Sequence, residues 1–109
     1  MPQQIIMRKD GIFVDQVKFG FLIPYNEISE IRKYTKDDSK NTIRIFGSGG
    51  LFGYIGKFKN PQIGNIQMYA TDSSNRILIQ TKDKNTNYII SCAESDVLIE
   101  KVKKNLKLQ

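Results

Sequence analysis

Histidine and tryptophan are missing from the 109-residue sequence, and cysteine occurs once, as Cys92. The lack of histidine removes the commonest general base and the commonest metal ligand. A single thiol excludes an internal disulfide, so a reducing compartment, the cytoplasm, is the expectation. No apolar run approaches the ~18 residues that a membrane-spanning helix needs. The opening residues, Met1-Pro2-Gln3-Gln4, show neither the charged nor the apolar region of a secretory signal.

What is present is ordinary for a globular chain. Hydrophobic residues make up 39% and charged residues 26%, which fits one folded domain over residues 1–109 rather than disorder. The balance of 17 basic against 11 acidic residues leaves a net charge of +6. Such a surface permits an acidic partner, whether protein, nucleic acid or anionic lipid, without requiring one.

Most of the chain has the two-residue period of half-buried strands. Ile5-Ile6-Met7 and Ile12-Phe13-Val14 flank the turn pair Asp10-Gly11, a hairpin signal. Val17, Phe19, Phe21 and Ile23 alternate up to Pro24, which cannot donate to a ladder and so should end the strand. Further strands are predicted over 28–34, 42–46, 65–71, 77–80 and 88–90, separated by polar turns at 35–41, 72–75 and 82–85. The period then changes. Leu98, Ile99, Val102 and Leu106 form one helical stripe, with Glu100, Lys101, Lys103, Lys104 and Lys107 on the other face. Ser91 or Ser95 would cap this helix, Ser91 having capping-box spacing to Glu94. About seven strands and then one amphipathic helix predict two packed antiparallel sheets, a small barrel or sandwich, closed by a helix near residues 94–107.

Five of the eight glycines fall between positions 47 and 56, interleaved with aromatic and aliphatic residues. Glycine persists where the backbone needs positive φ or a close approach, and the rings should not sit idle in water. The expectation is an ordered, packed connection between two blocks of strands.

The order of elements resembles the pleckstrin-homology superfold. Gly47-Ser48-Gly49-Gly50-Leu51-Phe52-Gly53-Tyr54-Ile55-Gly56, then Ile63-Gly64, Tyr69-Ala70-Thr71, Ile77-Leu78-Ile79-Gln80-Thr81 and Tyr88-Ile89-Ile90-Ser91, look like a bacterial PH-domain family. Ile23-Pro24-Tyr25 followed by Glu27-Ile28 fits the same pattern. The resemblance implies a PH-like fold with no established activity, in a family whose members are often attached to membrane segments; it implies too that the first sheet ends near Phe46 and that the glycine block crosses to the second sheet at Ile66. Fold alone does not assign function.

Motifs for chemistry fail on their own spacing. Gly56-Lys57 is followed by Phe58 where a phosphate loop needs Ser or Thr, and Phe52 occupies the third glycine position of a dinucleotide fingerprint. Gly53-Tyr54-Ile55-Gly56 matches the KH loop pattern, but its flanks read as strand and loop. Asp37, Ser39 and Asn41 begin a calcium-loop spacing that Thr42 interrupts, and Tyr88 interrupts the one begun by Asp83, Asn85 and Asn87. Cys92 has no base beside it in sequence. No catalytic, cofactor or metal residue is assigned, and no enzymatic activity is expected.

A binding module remains. Its expected partner is a protein or peptide, or a second copy of the chain, added as a strand along residues 65–71 beside the helix. The candidate surface is Phe52, Tyr54, Lys57, Phe58, Gln67 and Tyr69. The alternative is docking at the inner face of the cell membrane through Lys101, Lys103, Lys104 and Lys107. Aromatics among lysines also suit single-stranded nucleic acid, which ranks below both because no RNA-binding motif accompanies them.

Overall fold

The structure is a computed structural model that describes residues 4–15, 20–38, 40, 42–48, 54–70, 75–83 and 86–107, with the backbone course alone at 43–48, 54 and 55. Among these residues nine strands form two sheets, followed by one helix. The first sheet has the order β1 (Gln4–Met7), β2 (Gly11–Asp15), β3 (Gly20–Pro24) and is antiparallel throughout. A single 3-10 turn, Tyr25–Glu27, leads into the second sheet. That sheet comprises β4 (Ile28–Lys33), β5 (Ile43–Ser48), β6 (Tyr54–Asn60), β7 (Gly64–Ala70), β8 (Arg76–Thr81) and β9 (Asn87–Ser91), in the order β4-β8-β9-β7-β6-β5. Helix α1, Ser95–Lys107, follows. The architecture is mainly β and PH-like, two sheets with a C-terminal helix, as the alternation and the final change of period predict.

Four details correct the sequence reading. The glycine-rich stretch does not carry the chain between sheets. Its flanks form β5 and β6, which pair with each other as an antiparallel hairpin inside the second sheet. The change of sheet comes earlier, at Tyr25–Glu27, where Pro24 ends the β3 ladder. Second, β6 is a strand that alternation did not reveal. Third, the second sheet is not wholly antiparallel, because β9 inserts between β8 and β7 and runs parallel to β7. The buried Asn87 side chain holds the start of this parallel pair, donating to the carbonyls of Ile63 (3.1 Å) and Asn65 (3.0 Å). Fourth, the two sheets do not close into a barrel among the described residues, since β4 and β5 remain the ends of the second sheet.

Two apolar layers result. Ile12, Val14 and Ile23 of the first sheet meet Ile31, Ile77, Ile79 and Ile90 of the second, with Leu98, Ile99 and Val102 of α1 completing the layer. Tyr25 sits in this layer fully buried, and its hydroxyl donates to the Arg8 carbonyl at 2.9 Å. On the other face of the second sheet, Ile66, Met68, Ala70, Leu78 and Ile89 form a separate buried group against Tyr34, Phe58 and Ile63. Strand β8 therefore buries Ile77, Leu78 and Ile79 in succession, the pattern of a strand covered on both faces.

The β4–β5 connection begins at Tyr34, which packs against the second layer. These strands lie at opposite ends of a six-stranded sheet, ~24 Å apart if the sheet were flat. Residues 34–42 join them, and the chain turns back within them, where the Asp38 amide bonds the Thr35 carbonyl at 3.1 Å. Asn60, buried at the end of β6, pins the connection by donating to the carbonyl of Asp38 (2.9 Å) and to Thr42 Oγ1 (2.8 Å). Its Oδ1 accepts from the amides of Gln62 and Ile63. Arg32 and Asp38 lock the start of the connection with two parallel bonds of 2.8 and 2.9 Å.

Candidate functional site

Helix α1 packs against β4, β8 and the 3-10 turn through the stripe made of Leu98, Ile99 and Val102, the side chains that 3.6-residue periodicity brings to one face. It starts later than the capping-box spacing suggests: Ser91 ends β9 and Ser95 is the first helical residue. The Glu94 carbonyl takes the first helical bond, from the Leu98 amide at 3.0 Å. Ser95 is buried, and its Oγ accepts from Lys33 Nζ at 2.9 Å, while the same ammonium stands 3.8 Å from Asp96. The helix thus has a fixed origin on β4 and presents a fixed outer face.

That outer face is basic. Val97, Glu100, Lys101, Lys103, Lys104 and Lys107 line an open groove of about 400 Å³. Val97 is 45% exposed, one of two large apolar side chains that stand out into solvent among the described residues. None of the four lysines is in an ion pair among the described residues. Lys104 and Lys107 occupy the last turn, where the helix dipole steadies their charge. The four lysines expected as a membrane-facing group are therefore brought together, but around a groove that also holds Val97 and Glu100. The signal for Val97 was in the sequence: an apolar residue one position off the Leu98–Val102 stripe.

The aromatic candidates divide. Phe52 lies outside the described residues, and Tyr54 is placed by backbone pairing with Ala70 alone. Lys57 is exposed on β6, directly across from Gln67 on β7, so both share one face. Tyr69 is on that face too, half-buried, with its ring 5.0 Å from Phe21 and its hydroxyl donating to Gln67 Oε1 at 3.1 Å. Phe58 points the opposite way, into the second apolar layer. The edge these residues were expected to serve is closed: β7 pairs with β6 on one side and β9 on the other. Strand addition along Ile66–Tyr69 has no free edge, because both sides of this stretch are already paired.

Burial pushes the hydroxyls of Tyr25, Tyr34, Tyr69 and Tyr88 up from their ordinary value of 10. The Arg32 guanidinium and the Thr35 donors hold Asp38 down at about 2. Each of these shifts moves the group away from neutrality, the reverse of what a general acid or base needs. No group of three or more potential ligands for a metal occurs among the described residues, and no described helix is long and apolar enough to cross a membrane.

Comparison with curated proteins and with solved structures finds no match to the chain. The model of the Bacterial PH domain family matches residues 3–106, nearly the whole length and both sheets together with the helix. The chain belongs to the bacterial PH domain family.

Proposed function

We propose that this chain is a non-catalytic cytoplasmic binding domain that holds an acidic segment of a partner protein along the outer face of α1. The observation that carries this reading is the open groove lined by Val97, Glu100 and four lysines that form no ion pair among the described residues. Val97 to Lys107 spans ~15 Å along the helix, the length of roughly five extended residues. Lysine is a flexible point charge without the fork of arginine, so the groove favours a run of carboxylates over one bidentate anion. The exposed Val97 supplies an apolar anchor at the helix start.

An anionic membrane surface would engage the same lysines, each contributing about 1 kcal/mol near a charged leaflet. The small apolar content of the face favours the peptide. Val97 alone gives too little apolar insertion for stable interfacial attachment.

Fluorescence anisotropy with a labelled peptide alternating Glu and Leu, run beside sedimentation with anionic and neutral vesicles, tests the proposal. The expected result is saturable, salt-sensitive peptide binding that falls at least about tenfold when Lys101, Lys103, Lys104 and Lys107 become Gln, since several ion pairs are lost together. Binding that these replacements leave unchanged, or binding to anionic vesicles with none to the peptide, overturns it.

A further inference from the structure

The three strands of the first sheet each hold three consecutive apolar residues: Ile5-Ile6-Met7, Ile12-Phe13-Val14 and Phe21-Leu22-Ile23. A sheet with one face in a core and the other in water needs apolar residues at alternate positions only. Ile5, Met7, Ile12, Val14, Phe21 and Ile23 supply the inner face, packed in the main apolar layer. The middle residue of each triplet must then face out. The register places Ile6 opposite Phe13 and Phe13 opposite Leu22, so an apolar row crosses the outside of all three strands. Ile6 is 38% exposed, and Phe13 and Leu22 are half-buried.

The Phe13 ring leans across Gly20, where a Cβ would collide with it. The Arg8 guanidinium stands 3.9 Å from the ring centroid. The borders of the row differ in sign. Arg8 lies two residues beyond Ile6 on one side, and Asp15 lies two residues beyond Phe13 on the other. Asp15 is in no ion pair among the described residues.

We infer that this face is where two copies of the chain pair, sheet against sheet, about a two-fold axis lying along the Ile6–Phe13–Leu22 row. Such an axis sets each apolar residue of the row against its own copy. It also carries the Arg8 border of one copy over the Asp15 border of the other, one strand spacing (~4.8 Å) to the side and within reach of an arginine. One face therefore satisfies itself in both apolar and charge terms, the requirement of an isologous interface. A partner of one charge sign would meet a repelling border. The face shares no residue with the α1 groove, so the two proposals stand or fall separately.

Three strands of five residues offer roughly 240 Å², well below the ~800 Å² per partner of a standard complex. The pairing is accordingly weak, with a dissociation constant on the order of 100 µM or higher. Sedimentation velocity of the full chain from about 10 µM to about 1 mM tests it. The expected result is a reversible monomer–dimer equilibrium that Ile6→Glu and Leu22→Glu each abolish, with thermal melting confirming that the variants remain folded. Asp15→Arg weakens the dimer about tenfold or more by setting two cations together, and adding Arg8→Asp to it restores the pairing. A wild-type chain that stays monomeric over the whole range, or a dimer unaffected by both Glu variants, overturns the inference.

Discussion

Asp38 shows how one side chain can govern a connection. It accepts two bonds from Arg32, one from the Thr35 amide at 2.7 Å and one from the Thr35 hydroxyl at 2.9 Å. Its side chain is 18% exposed, against 37% for Arg32. The folded-state pKa, about 2, lies below the ordinary 3.8, so the ionised form is the one that the fold stabilises. The contribution is present above the ordinary value and disappears as the pH falls through about 2. Urea unfolding should therefore show Asp38→Asn destabilising by about 1–2 kcal/mol at neutral pH, reduced from a buried pair because Arg32 is partly solvated. Between the ordinary and the folded-state value that difference should shrink towards zero. A penalty that persists unchanged at pH about 2 would contradict this assignment. The sequence offered Asp37-Asp38 only as turn formers. The pairing with Arg32 arises because β4 and the turn after it fold back on each other.

At the scale of the element, the hairpins of the first sheet depend on close backbone approach. A Cβ at Gly11 would overlap the Ile23 carbonyl of the neighbouring strand, whereas at Gly20 it would meet only the end of the Phe13 ring. Backbone cannot swing aside and a ring can, so Gly11→Ala should cost about 1–3 kcal/mol, and Gly20→Ala less, in thermal or urea melts. Equal costs would show that the β2–β3 contact adapts as readily as the ring. The glycines of the β5–β6 hairpin misled the sequence reading for a related reason. Glycine interrupts the apolar–polar alternation by which a strand is recognised, so residues 54–60 looked like a connection. Pairing with β5 and β7 makes them a strand. The period-2 signal reports burial of side chains, and where side chains are missing it is silent. The C-terminal helix was legible because its stripe of Leu98, Ile99, Val102 and Leu106 is uninterrupted.

For the whole molecule, the second sheet is the shared wall of both apolar layers. On neighbouring positions of β8, Ile79 belongs to the layer under α1 and Leu78 to the layer under the β4–β5 connection, and both are fully buried. One strand serving two layers should make the domain unfold as a unit. Leu78→Ala and Ile79→Ala should each cost about 2–5 kcal/mol, with fluorescence and circular dichroism reporting coincident transitions. Separate transitions in either variant would divide the domain in two. The proposed binding face rests on the same layout. The inner stripe of α1 is consumed by the core, so its lysine-bearing face is turned outward and held there by Lys33.

The sequence by itself determined the strand-rich class, the single C-terminal helix, the family and the segregation of lysines on that helix. These follow from local periodicity and from motifs within short stretches, which depend on neighbours a few residues apart. Tertiary structure alone decided which strands are neighbours. The insertion of β9 beside β7 closed the edge expected for a guest strand, and the packing of Tyr34, Phe58 and Ile63 on the second layer buried Leu78, which reads as outward-facing from alternation alone. It also decided that Ile6, Phe13 and Leu22 form one row. Those three residues are brought into line by backbone bonds between segments distant in the chain, and no local pattern encodes the register of such bonds.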